Sequence, residues 1–190
     1  AGTSGSVSGA PTASPIGITP AQIGRFTSSS KSIGGPVRTF AEAFGRAEEA
    51  ASIKVPQAGK AFVSVRDADK PRLVEVAEML LKKGFSLVAT SGTSQFLSSQ
   101  GLPCDSINKV AEGRPHIVDL IKNGEINYIV NTTEGKAAIA DSFSIRREAL
   151  QHRVVYSTTI PGAKALIQSI DTRGNPRVWS LQELHKEVHG

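Results

Sequence analysis

Apolar residues along this chain fall into two kinds of pattern, and the two alternate. Short unbroken runs at Ala61 to Val65, Ser86 to Ala89, Tyr128 to Asn131 and Val154 to Ser157 predict buried strands. A weaker strand falls near Ser106 to Asn108. Between the first two runs, Leu73, Val74, Val76, Ala77, Leu80 and Leu81 recur at helical spacing. The ends of that helix carry their own signals: Asp69 as a cap, Pro71 in the first turn, Lys82 and Lys83 at the negative end, Gly84 as the stop. Further helices are predicted from Pro115 through Ile117, Leu120 and Ile121 to Gly124, and from about Phe143 to Gln151. Strands separated by helices of this length imply an α/β fold with right-handed crossovers and a parallel sheet covered on both faces.

Before the first strand, Thr39-Phe40-Ala41-Glu42 has the spacing of a capping box and opens a short helix carrying Phe40, Ala43, Phe44 and Ala47 on one side. Residues 1–35 are dominated by Gly, Ser, Thr, Ala and Pro, and their few large apolar residues keep no period. Such a segment buries too little surface to offset its ordering entropy, so it reads as a flexible leader of cloning origin. The expected organisation is therefore leader 1–35, helix and linker 36–58, and one domain over 59–190.

The charge, Lys+Arg 22 against Asp+Glu 17, is modestly basic. Aromatics are only 5% and no basic run exceeds two residues, so stacking platforms and basic arms for nucleic acid are both missing. A small phosphorylated ligand accounts for the sign equally well. One cysteine, Cys104, excludes an internal disulfide framework and suits a reducing, cytoplasmic setting, and no apolar run is long enough to span a membrane. No His/Cys set has metal-ligand spacing. His116, His152, His185 and His189 are scattered and read as surface groups, and Cys104 as an inert thiol.

In open parallel sheets ligands sit at the carboxyl ends of the strands. Here each end delivers polar residues: Ser64 with the turn Arg66 to Lys70, then Thr90-Ser91-Gly92-Thr93, then Asn108-Lys109, then Asn131-Thr132-Thr133. Hydroxyls, two lysines and the N–H groups of the helix after Gly92 suit an oxyanion such as phosphate, with the amide of Asn131 left for a sugar or base. Each residue also has a plainer reading. Thr93 fits a helix cap, Lys70 and Lys109 fit solvated surface charges, and Asp67 and Asp69 fit a turn and a cap.

Five segments, SVRDADK, ATSGTS, NKVAEGRPHIVDLIKNG, YIVNTTEG and SIRREALQH, occur in this order and spacing. Together they closely resemble the carboxyl-terminal allosteric domain of the large subunit of bacterial carbamoyl-phosphate synthetase, over roughly residues 37 to 188. VRTFAEAFGRAEEA is similar to the end of the domain that precedes it in that family. The resemblance implies the methylglyoxal-synthase-like fold, a five-stranded parallel sheet between helices. It implies a regulatory domain that binds UMP as inhibitor or IMP as activator, with ornithine acting near the junction to the synthetase. Carried over by motif, Ser64, Lys70, Thr90, Gly92, Thr93 and Lys109 hold the phosphate, Asn131, Thr132 and Thr133 face the ribose or base, and Thr158 maps to the ornithine contact. No catalytic residue, metal or cofactor is implied for this domain. The family's ATP, Mg or Mn, and K belong to other domains, which with the glutaminase small subunit are the implied partners. Self-association is a further one.

Two rivals share the fold. Methylglyoxal synthase eliminates phosphate from dihydroxyacetone phosphate and requires a Gly-Gly-Asp motif, where this chain has Val110-Ala111-Glu112-Gly113-Arg114-Pro115. The related cyclohydrolase domain of purine synthesis lacks NTTEG and SIRREALQ. A third reading is an assembly module alone.

Overall fold

The structure is a computed structural model and describes residues 39–134 and 136–172 together with Ser180, Gln182 and Lys186. The chain divides into two compact units, Val37–Arg177 and Ala1–Pro36 with Val178–Gly190; every element below lies in the first. The leader expected over 1–35 and the histidines His185 and His189 lie outside the described residues.

Five parallel strands, β1 (Gly59–Ser64), β2 (Phe85–Thr90), β3 (Asp105–Ile107), β4 (Tyr128–Asn131) and β5 (Val155–Ser157), pair in the order β3-β2-β1-β4-β5. The helices are α1 (Phe40–Ala50), α2 (Lys70–Lys82), α3 (Ser91–Ser99), α4 (Ile117–Lys122), α5 (Lys136–Gln151) and α6 (Ile160–Ser169). Strand order reverses between β1 and β4, and the crevice above such a reversal is where an open α/β sheet takes its ligand.

Alternation along the strands splits the core in two. Ala61, Val63, Leu87, Ala89, Tyr128 and Val130 join Leu73, Val76, Leu80, Leu97 and Ile167 from α2, α3 and α6. Phe62, Val88 and Ile129, in matching register, join Ile117, Ile121, Ile145 and Ala149 from α4 and α5. A strand buried on both faces has no polar side to alternate with, which is why these strands read as apolar runs.

Local chemistry explains where the helices begin. Thr39 caps α1 by accepting the Glu42 N–H at 3.2 Å, as the capping-box spacing predicts. α1 packs on α6, and Gly45 permits the approach, since a Cβ there would lie 3.1 Å from Thr172 Oγ1 and 3.2 Å from Ser169 Cβ. α2 carries Pro71 in its first turn and ends before Gly84, whose φ of 82° suits glycine.

Several expectations are corrected. Asp69 occupies the N-cap position of α2 without capping it; its carboxylate accepts from Arg66 Nε at 2.8 Å, and a guanidinium is a stronger partner than a backbone N–H. α3 opens at Ser91, so Thr93 lies inside its first turn and is not its cap. α4 opens at Ile117 rather than Pro115, and His116 is buried at its N-cap, its N–H donating to Asp119 Oδ2 at 3.1 Å. α5 opens at Lys136, well before Phe143. α6 has no counterpart among the expected helices, although Thr159 caps it by accepting the Gly162 N–H at 3.2 Å and Pro161 stands in its first turn. Among the described residues, no helix is long and apolar enough to cross a membrane.

Candidate functional site

A cavity of about 500 Å³ opens above the carboxyl ends of β1, β2 and β4. Its lining includes the nine residues carried over by motif, Ser64, Lys70, Thr90, Gly92, Thr93, Lys109, Asn131, Thr132 and Thr133, whereas Asp69, Ser91 and Asn108 from the same strand ends do not line it. Thr158 is exposed just beyond β5 and does not line the cavity.

The inner wall combines hydroxyls with a helix start. Ser64 Oγ and Thr90 Oγ1 lie 3.4 Å apart at the ends of neighbouring strands. Thr90 is the N-cap of α3 yet makes no side-chain cap hydrogen bond, and the N–H groups that open a helix have no partner within it. Lys70 reaches over this turn: a Cβ at Gly92 would stand 3.9 Å from its Nζ. A cation held against the positive end of a helix needs an anion beside it. Asp67 supplies one, its Oδ1 2.7 Å from Lys70 Nζ, and the Lys70 hydrogen bond and charge hold the Asp67 carboxyl below its ordinary range.

A second pair stiffens the rim. Arg66 donates from Nε to Asp69, and its backbone N–H donates to Thr132 Oγ1 at 3.2 Å. The Arg66 hydrogen bond, opposed by burial and aided by Thr132, lowers the Asp69 pKa. Arg66 also lies 3.9 Å from Glu134 Oε2. Lys109 is more open than Lys70, with 53% of its side chain exposed against 22%, and its Nζ lies 3.8 Å from Glu112 Oε1.

The third wall comes from α5, and the sequence reading missed it. Asp141, Ser142 and Ile145 line the cavity, with Arg66, Asp67, Val110, Ile117 and Glu134 as further lining residues outside the expected set. The spacing 141, 142, 145 is a helical one, but a helix read from about Phe143 begins after Asp141 and Ser142, its polar edge. Ser142 meets Asn131 at the end of β4: Asn131 Nδ2 donates to Ser142 Oγ at 3.3 Å and to Tyr156 OH at 2.8 Å.

The lining charges are three cations, Arg66, Lys70 and Lys109, and three carboxylates, Asp67, Glu134 and Asp141. An anionic ligand therefore competes with carboxylates already present, and gains most where Lys70 meets the amino end of α3. Away from the cavity, burial raises the Cys104 thiol to about 11, so it stays protonated at neutral pH. Among the described residues, no group of His, Cys, Asp and Glu is placed to hold a metal ion.

Comparison with known families covers the turn at Thr90 and most of the sheet around it. Residues 72–158 match the MGS-like domain, and this part of the chain is an MGS-like domain. The relatives then place that domain within a larger protein. The chain is 69% identical over 151 residues to the carbamoyl phosphate synthase large chain of Xanthomonas axonopodis pv. citri, covering 80% of this chain and 14% of that one. It is 49% identical over 150 residues to the same-named protein of Pseudomonas aeruginosa, covering 79% and 14%. The chain thus spans about one seventh of the length of the relatives it matches. A solved methylglyoxal synthase from Elizabethkingia anophelis NUHP1 is 14% identical, with a TM-score of 0.47 over 64% of this chain and 81% of that one.

Proposed function

We propose that this domain is the regulatory nucleotide-binding module of a carbamoyl phosphate synthase large chain. It takes UMP as inhibitor, IMP as activator, or both, and catalyses nothing itself. The observation that carries the reading is Lys70, whose ammonium is held at the amino end of α3 beside Gly92, among Ser64, Thr90 and Thr93. That is a phosphate-shaped demand, and the cavity has the volume of a small-molecule site. Ornithine acts outside the cavity, near Thr158. The ATP-dependent ligase chemistry, with its Mg or Mn and K, belongs to the remainder of the large chain, which works with a glutaminase small subunit in the cytoplasm.

Calorimetry with UMP, IMP and ornithine on this chain tests the reading. A nucleoside monophosphate should bind and its nucleoside should not; no heat with either nucleotide rejects the proposal. Phosphate release from dihydroxyacetone phosphate checks the lyase alternative. Glu112, which stands in the region of the missing Gly-Gly-Asp motif, spends its carboxylate on the Lys109 N–H at 2.9 Å. Turnover that disappears with Asp67→Asn or Glu112→Gln would reverse the choice.

Thr93 separates a ligand group from a fold-only turn. Because α3 starts before it, Thr93→Ala loses no cap, only a buried methyl and hydroxyl, so it should weaken UMP and IMP binding by more than it lowers the stability of the empty protein; Thr93→Ser should retain most of both. Lost stability with intact affinity would make the turn structural only.

Self-association is a second reading with its own observation. Ile139, Phe143 and Leu150 are 58%, 67% and 75% exposed on one face of α5, with Arg146 in the same row. Apolar rows of this kind mark contact surfaces. Phe143→Ser should reduce sedimentation of any dimer at matched concentration and leave nucleotide affinity in place; an unchanged monomer in the parent chain removes this reading.

A further inference from the structure

We infer that Tyr156 and Ser142 lock the Asn131 amide with its carbonyl oxygen towards the cavity, so that the ligand must present a hydrogen-bond donor there. The inference rests on the nucleotide reading and adds a selection rule to it.

Asn131 and Ser142 are 4% and 3% exposed, and both line the cavity; Tyr156 stands behind them on β5. Their polar atoms form a triangle. Asn131 Nδ2 lies 2.8 Å from Tyr156 OH and 3.3 Å from Ser142 Oγ, and the two hydroxyls are 3.3 Å apart. Each edge of the triangle needs one proton. With Nδ2 at the corner, the amide donates along two edges and one hydroxyl donates along the third, so every edge is filled. With the amide turned over, only the two hydroxyl protons remain for three edges, and one pair of lone pairs is left facing. The first orientation wins. Arg146 holds the tyrosine from outside, its guanidinium 5.5 Å from the ring centroid.

Both Asn131 N–H bonds are thereby committed to protein, leaving Oδ1 as the polar atom the amide can offer a ligand. No hydrogen bond to Oδ1 is made among the described residues, and Asn131 lines the cavity, so the ligand is the partner assigned to it. An acceptor in so dry a wall favours a donor and rejects another acceptor. In a nucleoside monophosphate the donors are a sugar hydroxyl or the ring N–H of an oxo-base. Tyr156 does not line the cavity, so it acts as a positioning residue.

The experiment titrates wild type and Tyr156→Phe with UMP and IMP, with their 2′-deoxy and 3′-deoxy forms, and with the forms methylated at the base ring N–H. Wild type should lose about three- to tenfold in affinity for one class of analogue, deoxy if the donor is a hydroxyl, methylated if it is the base. Tyr156→Phe frees the amide to rotate, so that preference should fall to near one while the melting temperature of the empty protein holds. Ser142→Ala should act in the same direction and serves if the tyrosine variant folds poorly. Equal binding of every analogue by wild type, or an unchanged preference in Tyr156→Phe and Ser142→Ala, overturns the assignment. Wild type that binds neither parent nucleotide overturns the nucleotide reading and this assignment with it.

Discussion

Lys70→Ala should weaken binding of UMP or IMP by about ten- to a hundred-fold, the loss of one charge-assisted contact worth roughly 1.5–3 kcal/mol. The effect should exceed that of Lys109→Ala. Lys70 is the more enclosed of the two and stands over the amino end of α3, where its charge is less screened; Lys109 is more than half exposed. Stability should move little, because removing a cation from the first turn of α2 relieves a poor interaction with the helix dipole. The companion variant Asp67→Asn should tighten binding, since the phosphate no longer displaces a carboxylate from Lys70. Calorimetry at two salt concentrations, with melting of the empty proteins, reads both. Unchanged affinity in Lys70→Ala would move the anion site elsewhere.

The parts of this fold that were legible in the sequence are those with one job. β1, β2 and β4 are buried on both faces, so nothing interrupts their apolar runs, and each ends where a polar side chain can reach the rim. α2 has its apolar residues on the inner side and breakers at both ends. Strand ends then pointed to most of the cavity's polar lining, because polar residues next to apolar runs have few other places to go.

What stayed hidden had two jobs or misleading chemistry. α5 carries Ile139, Phe143 and Leu150 outward, so hydrophobic period alone pointed away from the face that holds Ser142 and Ile145. That displaced its start and concealed a wall of the cavity. Pro161 and Gly162 look like a turn, and only the Thr159 cap shows that they open α6. His116 resembled a surface histidine because sequence cannot tell a buried N-cap from one in solvent. Asp69 had two suitors, the α2 N–H groups and Arg66, and which one wins depends on where the guanidinium sits.

Two phenylalanines measure the difference between inside and outside. Phe62→Ala should cost about 3–5 kcal/mol, because it empties a fully buried site on the central strand. Phe62 is in register with Val88 on one side and Ile129 on the other and packs with Ile117, Ile121 and Ile145. Its strand neighbours cannot collapse into the gap without breaking register. Against a total stability of roughly 5–15 kcal/mol, the variant should stay folded only marginally and melt well below wild type. Ile117 and Ile145 also line the cavity, so nucleotide affinity should suffer secondarily, by less than stability does. Phe143→Ser removes the same kind of ring from the solvent side of α5 and should change stability by no more than about 0.5 kcal/mol. Denaturant unfolding of the two variants side by side decides the matter. A Phe62→Ala loss below about 1 kcal/mol, or a Phe143→Ser loss as large as that of Phe62→Ala, would mean that the layer between the sheet and α5 is packed differently from the arrangement described here.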